Sequence, residues 1–158
     1  MKRFAYAVPV FRYLHPKDAA VGKSPRWGVL ANTKSLMKES LAQWEGFVGL
    51  FGGHLGLDET PLDGVLREMD EEMVFNLSEK DLVYVDHFSE GESDITIYAF
   101  DMGVLDEDRL RLLASQCKEG IVFPILSETQ FAGDVKWTFP KFGDAVNRAR
   151  DKIRGLQG

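Results

Sequence analysis

Apolar and polar positions along this chain switch between the two-residue period of strands and the 3.6-residue period of helices. Residues 4–13 are rich in valine and aromatic side chains and predict a strand. Residues 14–25 carry breakers and charge, including Pro16, Gly22 and Pro25, and predict a loop. Trp27 to Asn32 predicts a second short strand, and 34–43 a weakly patterned short helix. Residues 44–50 are aromatic and glycine-containing, extended in character, and lead into Phe51-Gly52-Gly53, whose paired glycines predict a tight bend. Leu82–Val85 and Ile95–Phe100 predict two strands joined by an acidic turn over 89–93. Asp106 opens a helix with Leu110, Leu113, Ala114 and Cys117 on one face. Ile121–Ile125 reads as a strand that Pro124 confines to an edge. A last helix spans about 140–154, with Phe142, Ala145, Val146, Ala149 and Ile153 at helical spacing and Gly155 to stop it. Interleaved strands and helices predict an α/β or α+β sandwich.

The best-signed element follows the paired glycines. Thr60 can cap it, Pro61 suits the first helical position, and Asp63 stands where the acid of a capping box would. With Glu68 at zero on a helical wheel, Glu71 falls at about −60° and Glu72 at about +40°. Leu62, Val65, Leu66, Met69 and Met73 fall between about +60° and +160°, a contiguous apolar stripe. The carboxylates therefore border the buried face instead of opposing it, where a cleft would form. Like charges at these spacings cost about 0.2–0.5 kcal/mol each in water, and more as water is excluded. Carboxylate oxygens are the ligands Mg²⁺ and Mn²⁺ prefer, so a bound dication would account for the cluster. A solvated acidic helix face is the competing explanation.

Composition narrows the classes. The 158 residues, 44% hydrophobic, with three Trp, four Tyr and eleven Phe, suit one globular domain over 1–158. A formal charge of −6 argues against nonspecific binding to nucleic acid or to an anionic membrane surface. Small phosphate ligands stay open, because a metal supplies positive charge locally. No apolar run approaches the roughly 20 residues that span a bilayer, and the start lacks the character of a signal peptide. Cys117 has no second cysteine to pair with, which fits a reducing, cytoplasmic setting.

From Gly53 to Phe75 the sequence resembles the Nudix hydrolase family. Its signature is glycine, five residues, glutamate, seven residues, Arg-Glu, an aliphatic residue, any residue, Glu-Glu, any residue, glycine and an aliphatic residue. Gly53, Glu59, Arg67, Glu68, Met69, Glu71, Glu72 and Phe75 match at those spacings. Val74 departs, standing where the family has glycine, so the helix is expected to run on with Asn76 as its cap. Phe51 also stands where many relatives have proline.

The resemblance implies an α/β/α sandwich with a mixed sheet and a catalytic loop-helix-loop. It implies metal-dependent hydrolysis of a nucleoside diphosphate linked to another group X, with Mg²⁺ as cofactor and Mn²⁺ able to replace it. Glu71 and Glu72 become the principal metal ligands, with Glu68 a ligand or the general base. Gly52 would offer its carbonyl, and Glu119 is the candidate for a further carboxylate, ahead of Glu90 and Glu92. Arg67 would orient its neighbouring carboxylates, and Glu59 would tie the loop to the helix or support metal through water. Lys34, His54 and Phe51 are candidates for substrate contact; solvated lysine, surface histidine and core packing are their ordinary roles. Trp27 and Trp44 could likewise stack a base or pack in the core. A small-molecule nucleotide is the implied partner, without nucleic acid or membrane, and the family's frequent homodimers make that assembly a candidate. A Nudix-fold binding or regulatory module that does not cleave its nucleotide is the alternative.

Overall fold

The computed structural model describes residues 1–33, 48–72, 76–116, 121–125 and 137–157, with the backbone alone at Asn32, Thr33, Glu72, 121–125 and Gln157. Its organising element is β1 (Lys2–Tyr13), longer by two residues than the apolar pattern predicts. One side of β1 pairs in parallel with β5 (Ser93–Leu105) along nearly its whole length. The other side is shared by two antiparallel partners. β3 (Phe51–His54) takes residues 4–7, and β2 (Arg26–Thr33) takes residues 10–13. β4 (Val83–Glu90) flanks β5, and β6 (Ile121–Ile125) flanks β2, giving the order β4-β5-β1-β2-β6 with β3 beside β1. Pro124 thus lies in an edge strand, as its missing N–H requires.

The strands read as continuous apolar runs because both faces of the sheet are covered. Tyr6, Val8 and Val10 of β1 join Ile95, Ile97 and Ala99 of β5 in one buried cluster. Against it lies α4 (Phe142–Gln157), through Phe142, Ala145, Val146, Ala149 and Ile153, all buried as their spacing predicts. The alternate residues Ala5, Ala7 and Phe11 face the opposite cluster, with Val65 and Met69 of α2 (Pro61–Glu72) and Leu113 of α3 (Glu107–Ser115). The result is a mixed sheet between helical layers.

Four expectations are corrected. Within 14–25, residues Pro16–Ala20 form α1, capped by His15, whose Nδ1 accepts from the Lys17 N–H. Pro16 at the first helical position is tolerated because that N–H has no helical partner in any case. Gly155 does not stop α4, which continues to Gln157. Ala114 is exposed, and among the described residues of the predicted α3 face only Leu113 is buried. Gly52 and Gly53 lie within β3, so the paired glycines belong to a strand and not to a bend. The region 34–43, Trp44 and Cys117 fall outside the described residues, as do 73–75 with Val74.

Candidate active site

β3, the loop after it and α2 form one continuous unit against β1. Thr60 caps α2, its Oγ1 accepting from the Asp63 N–H at 3.2 Å, which satisfies one of the open donors of the first turn. Val65 and Met69 sink into the core and fix the rotation of the helix. That rotation turns Glu68 toward β3 and Glu71 toward solvent; their side chains are 15% and 56% exposed.

The glycine pair brings strand and helix close. At Gly53 a Cβ would stand 2.8 Å from Oε1 of Glu68, so the bare backbone is what lets this carboxylate sit against β3. At Gly52, φ is +144° and a Cβ would meet the Ala5 carbonyl oxygen at 2.1 Å, so only glycine fits between β3 and β1. In α2, Gly64 makes room for Leu55 and for the Glu59 carboxylate.

Arg67 joins the signature residues. Its Nε donates to Glu59 Oε2 at 2.8 Å and one Nη to Glu59 Oε1 at 2.9 Å, a two-pronged pairing. The other Nη donates to Glu68 at 3.1 Å and Glu71 at 3.2 Å, so these two carboxylates converge on one nitrogen. A further bond reaches the His54 carbonyl at 3.3 Å. Glu59 also accepts from the Gly56 N–H at 3.1 Å. The hydrogen bonds from Arg67, then that from Gly56, pull the Glu59 carboxyl down to about 2 against the opposing effect of burial. Arg67 is held above its ordinary value, chiefly by its bonds to Glu59.

One hollow borders this unit and another lies by α3. The first, of about 510 Å³, is lined by Arg3, His54, Leu55, Gly56, Leu57 and Arg67. The second, of about 400 Å³, lies between α3 and β5 around Asn76, Phe100, Met102, Leu105 and Arg109, and no described signature residue lines it.

The structure thus brings together Gly53, Glu59, Arg67, Glu68 and Glu71. The Glu72 side chain, Lys34 and Glu119 lie outside the described residues. His54 is exposed, its ring edge against Phe4 at 5.3 Å between centroids. Phe51 is fully buried in the cluster with Val65 and Met69, which corrects its candidacy as a substrate contact. Trp27 is half-buried against the α4-side cluster under the Arg12 guanidinium. Glu90 accepts from the Lys141 N–H at 2.8 Å and so ties the β4–β5 hairpin to the start of α4, a structural task. Arg3 was not among the candidates, yet its guanidinium donates to the carbonyls of Gly56, Leu57 and Glu59. Beside Lys2, in a strand that also holds Arg12, it carries no local signal of a partner more than fifty residues away. Among the described residues, no three His, Cys, Asp or Glu side chains are grouped to hold a metal ion. Nor is any helix among them long and apolar enough to cross a membrane.

No protein-family model matches the sequence, and no curated protein does. Solved structures do match in shape. A MutT/Nudix family protein from Listeria innocua superposes with a TM-score of 0.70 at 13% identity, over 99% of this chain and 96% of that one. An Ap4A hydrolase from C. elegans gives 0.59 at 12% identity, over 98% and 99%. The C-terminal domain of mouse MUTYH, solved in complex with human PCNA, gives 0.58 at 14% identity, over 98% and 90%. The fold of this chain is the MutT/Nudix fold.

Proposed function

We propose that the chain is a Nudix hydrolase, one catalytic domain over 1–158 that hydrolyses a diphosphate bond in a nucleoside diphosphate linked to another group X. The observation that carries this is the joining of four signature residues, Glu59, Glu68 and Glu71 with Arg67 itself, on a fold shared with MutT/Nudix proteins. The donor set suits a hard dication. Glu68 and Glu71 offer carboxylate oxygens that already share one cationic partner, and Glu72 follows on the same helix. Glu68, Glu71 and Glu72 would hold Mg²⁺, or Mn²⁺ in its place, with the Gly52 carbonyl and Glu119 as further ligands. When bound, the metal supplies charge neutralisation across the diphosphate oxygens and makes an attacking water more acidic.

The chain's own residues do the positioning. Glu59 holds one edge of the Arg67 guanidinium through both carboxylate oxygens, so the remaining Nη of Arg67 keeps Glu68 and Glu71 side by side. Glu68, seated against Gly53, would either ligate the metal or take the proton of the attacking water. The water oxygen bonds to phosphorus as the bridging P–O bond breaks, and the products are a nucleoside monophosphate and phosphorylated X. Phosphoryl transfer asks for positioning and charge stabilisation above all, which a carboxylate-rich rim can supply. Nucleoside triphosphates and nucleotide sugars are the first substrates to try, and His54 and Lys34 the first residues to test for phosphate contact. The reducing cytoplasm is the proposed setting.

A hydrolysis screen over NTPs, dNTPs, nucleotide sugars and dinucleotides with Mg²⁺ or Mn²⁺ tests the proposal. Glu71→Gln and Glu72→Gln are expected to lower turnover on the order of a hundredfold or more with the fold retained. Near-normal rates would remove those residues from the role assigned. The MUTYH domain, solved bound to another protein, supports a second reading as a binding module. Wild-type protein that takes up metal yet cleaves nothing across the panel would favour it.

A further inference from the structure

We infer that Arg3, fifty residues upstream of the signature, is a positioning residue that seats the loop carrying Glu59 and so sets the Arg67 network. This rests on the hydrolase reading for its consequence in catalysis, though not for its geometry. One Nη of Arg3 donates to the carbonyls of Gly56 at 2.9 Å, Leu57 at 3.3 Å and Glu59 at 3.0 Å. Three main-chain oxygens of one short loop therefore converge on a single cation in β1. The Arg3 main-chain carbonyl meanwhile accepts from the Leu55 N–H at 2.8 Å, so the same residue grips the loop by backbone and by side chain.

What the side chain adds can be separated from what the backbone does. The backbone bond fixes where the chain leaves β3. Closing the loop back on itself requires the carbonyls of Gly56, Leu57 and Glu59 to point inward together, an arrangement of aligned dipoles that repel without a cation between them. In that closed form the Gly56 N–H reaches Oε1 of Glu59 at 3.1 Å, and the carboxylate is aimed at Arg67. Arg67 spends Nε and one Nη on Glu59, which leaves the other Nη for Glu68 and Glu71. Without the Arg3 guanidinium the loop opens, Glu59 loses its aim, and Arg67 is free to swing among the carboxylates of α2.

The experiment uses the ¹⁵N-labelled 158-residue chain without metal or substrate, comparing wild type with Arg3→Ala. In the variant the Gly56 N–H is expected to lose its protection from hydrogen exchange. The Arg67 Nε–H resonance should move to the position of a solvated arginine. Leu55 N–H, bonded to a main-chain oxygen the substitution keeps, should stay protected. Unchanged Gly56 and Arg67 signals would overturn the inference. So would loss of Leu55 protection along with them, which would mean that strand pairing and not the guanidinium holds the loop. If Arg3→Ala does not fold, Arg3→Gln, which keeps one amide donor, should show the same changes in weaker form, with the same results counting against the inference. For an active wild type, kcat should fall about tenfold with KM little changed, because misplacement of catalytic groups by even about 1 Å is costly. A rise in KM with kcat intact would contradict a positioning role. An inactive wild type would defeat the hydrolase reading alone, since the resonance measurements need no substrate.

Discussion

Two adjacent glycines carry different loads. At Gly53 an added methyl meets the far end of the Glu68 side chain, which can swing away. At Gly52 it meets the backbone of β1, and the left-handed φ of +144° adds strain. Gly53→Ala is therefore expected to melt within about 1 kcal/mol of wild type, since alanine also suits a strand better than glycine, while hydrolysis falls as Glu68 is displaced. Gly52→Ala should lose at least about 1–3 kcal/mol from strain alone, with further loss from the clash. Thermal melts beside rate measurements check both; a fully active Gly53→Ala would show that the seat of Glu68 against β3 is dispensable. The glycine pair was visible in the sequence, but its conformation was not. A bend and a strand with a close neighbour both demand glycine, and only the register against β1 decides between them. Phe51 shows the same limit, because an aromatic beside a signature can face ligand or core and its alternation in β3 depends on that register.

At the scale of the element, the loop and α2 fold as one unit whose electrostatics depend on pH. Folding lowers the Glu59 carboxyl from its ordinary 4.5 to about 2. The unfolded chain therefore takes up a proton here before the folded one does. Stability from the Glu59–Arg67 pair is complete above pH 4.5 and drains away as the pH falls toward 2. Urea unfolding at pH 5 and at pH 2.5 should show a smaller acid loss in Glu59→Gln than in wild type, because the variant has no carboxyl to protonate there. An identical loss in both would mean the pair adds nothing to folding. α2 was the element best read from sequence: its cap, the burial of Val65 and Met69 and the side bearing Glu68 and Glu71 followed from 3.6-residue spacing, while Leu62 and Leu66 are half-buried. The loop before it was not readable, since the Arg3 clamp joins positions more than fifty residues apart and leaves no local pattern.

Across the whole molecule, β1 is the shared wall between two cores, and this separates what holds the fold from what builds the site. Strand and helix types were legible because both clusters are written as periodic apolar positions. The division of β1 between β3 and β2 was not, because pairing partners are chosen by topology and not by composition. Ile153 of α4 is 1% exposed in the cluster on one face, and Met69 of α2 is 1% exposed in the cluster on the other. Either one cut to alanine should cost about 2–5 kcal/mol, the range for large-to-small changes in a packed core. Their effects on the proposed hydrolysis should differ. Met69 directly follows Glu68 and fixes the rotation of α2, so a cavity beneath it lets the carboxylates drift from Gly53 and Arg67. Ile153 lies across the sheet from α2, and the strands between them are pinned by hydrogen bonds on both sides. Measured well below the melting point of each variant, Ile153→Ala should keep wild-type kcat to within about twofold, while Met69→Ala falls about tenfold or more. Equal losses in the two would show that the sheet transmits packing defects from one core to the other, and that β1 is a coupling element instead of a wall.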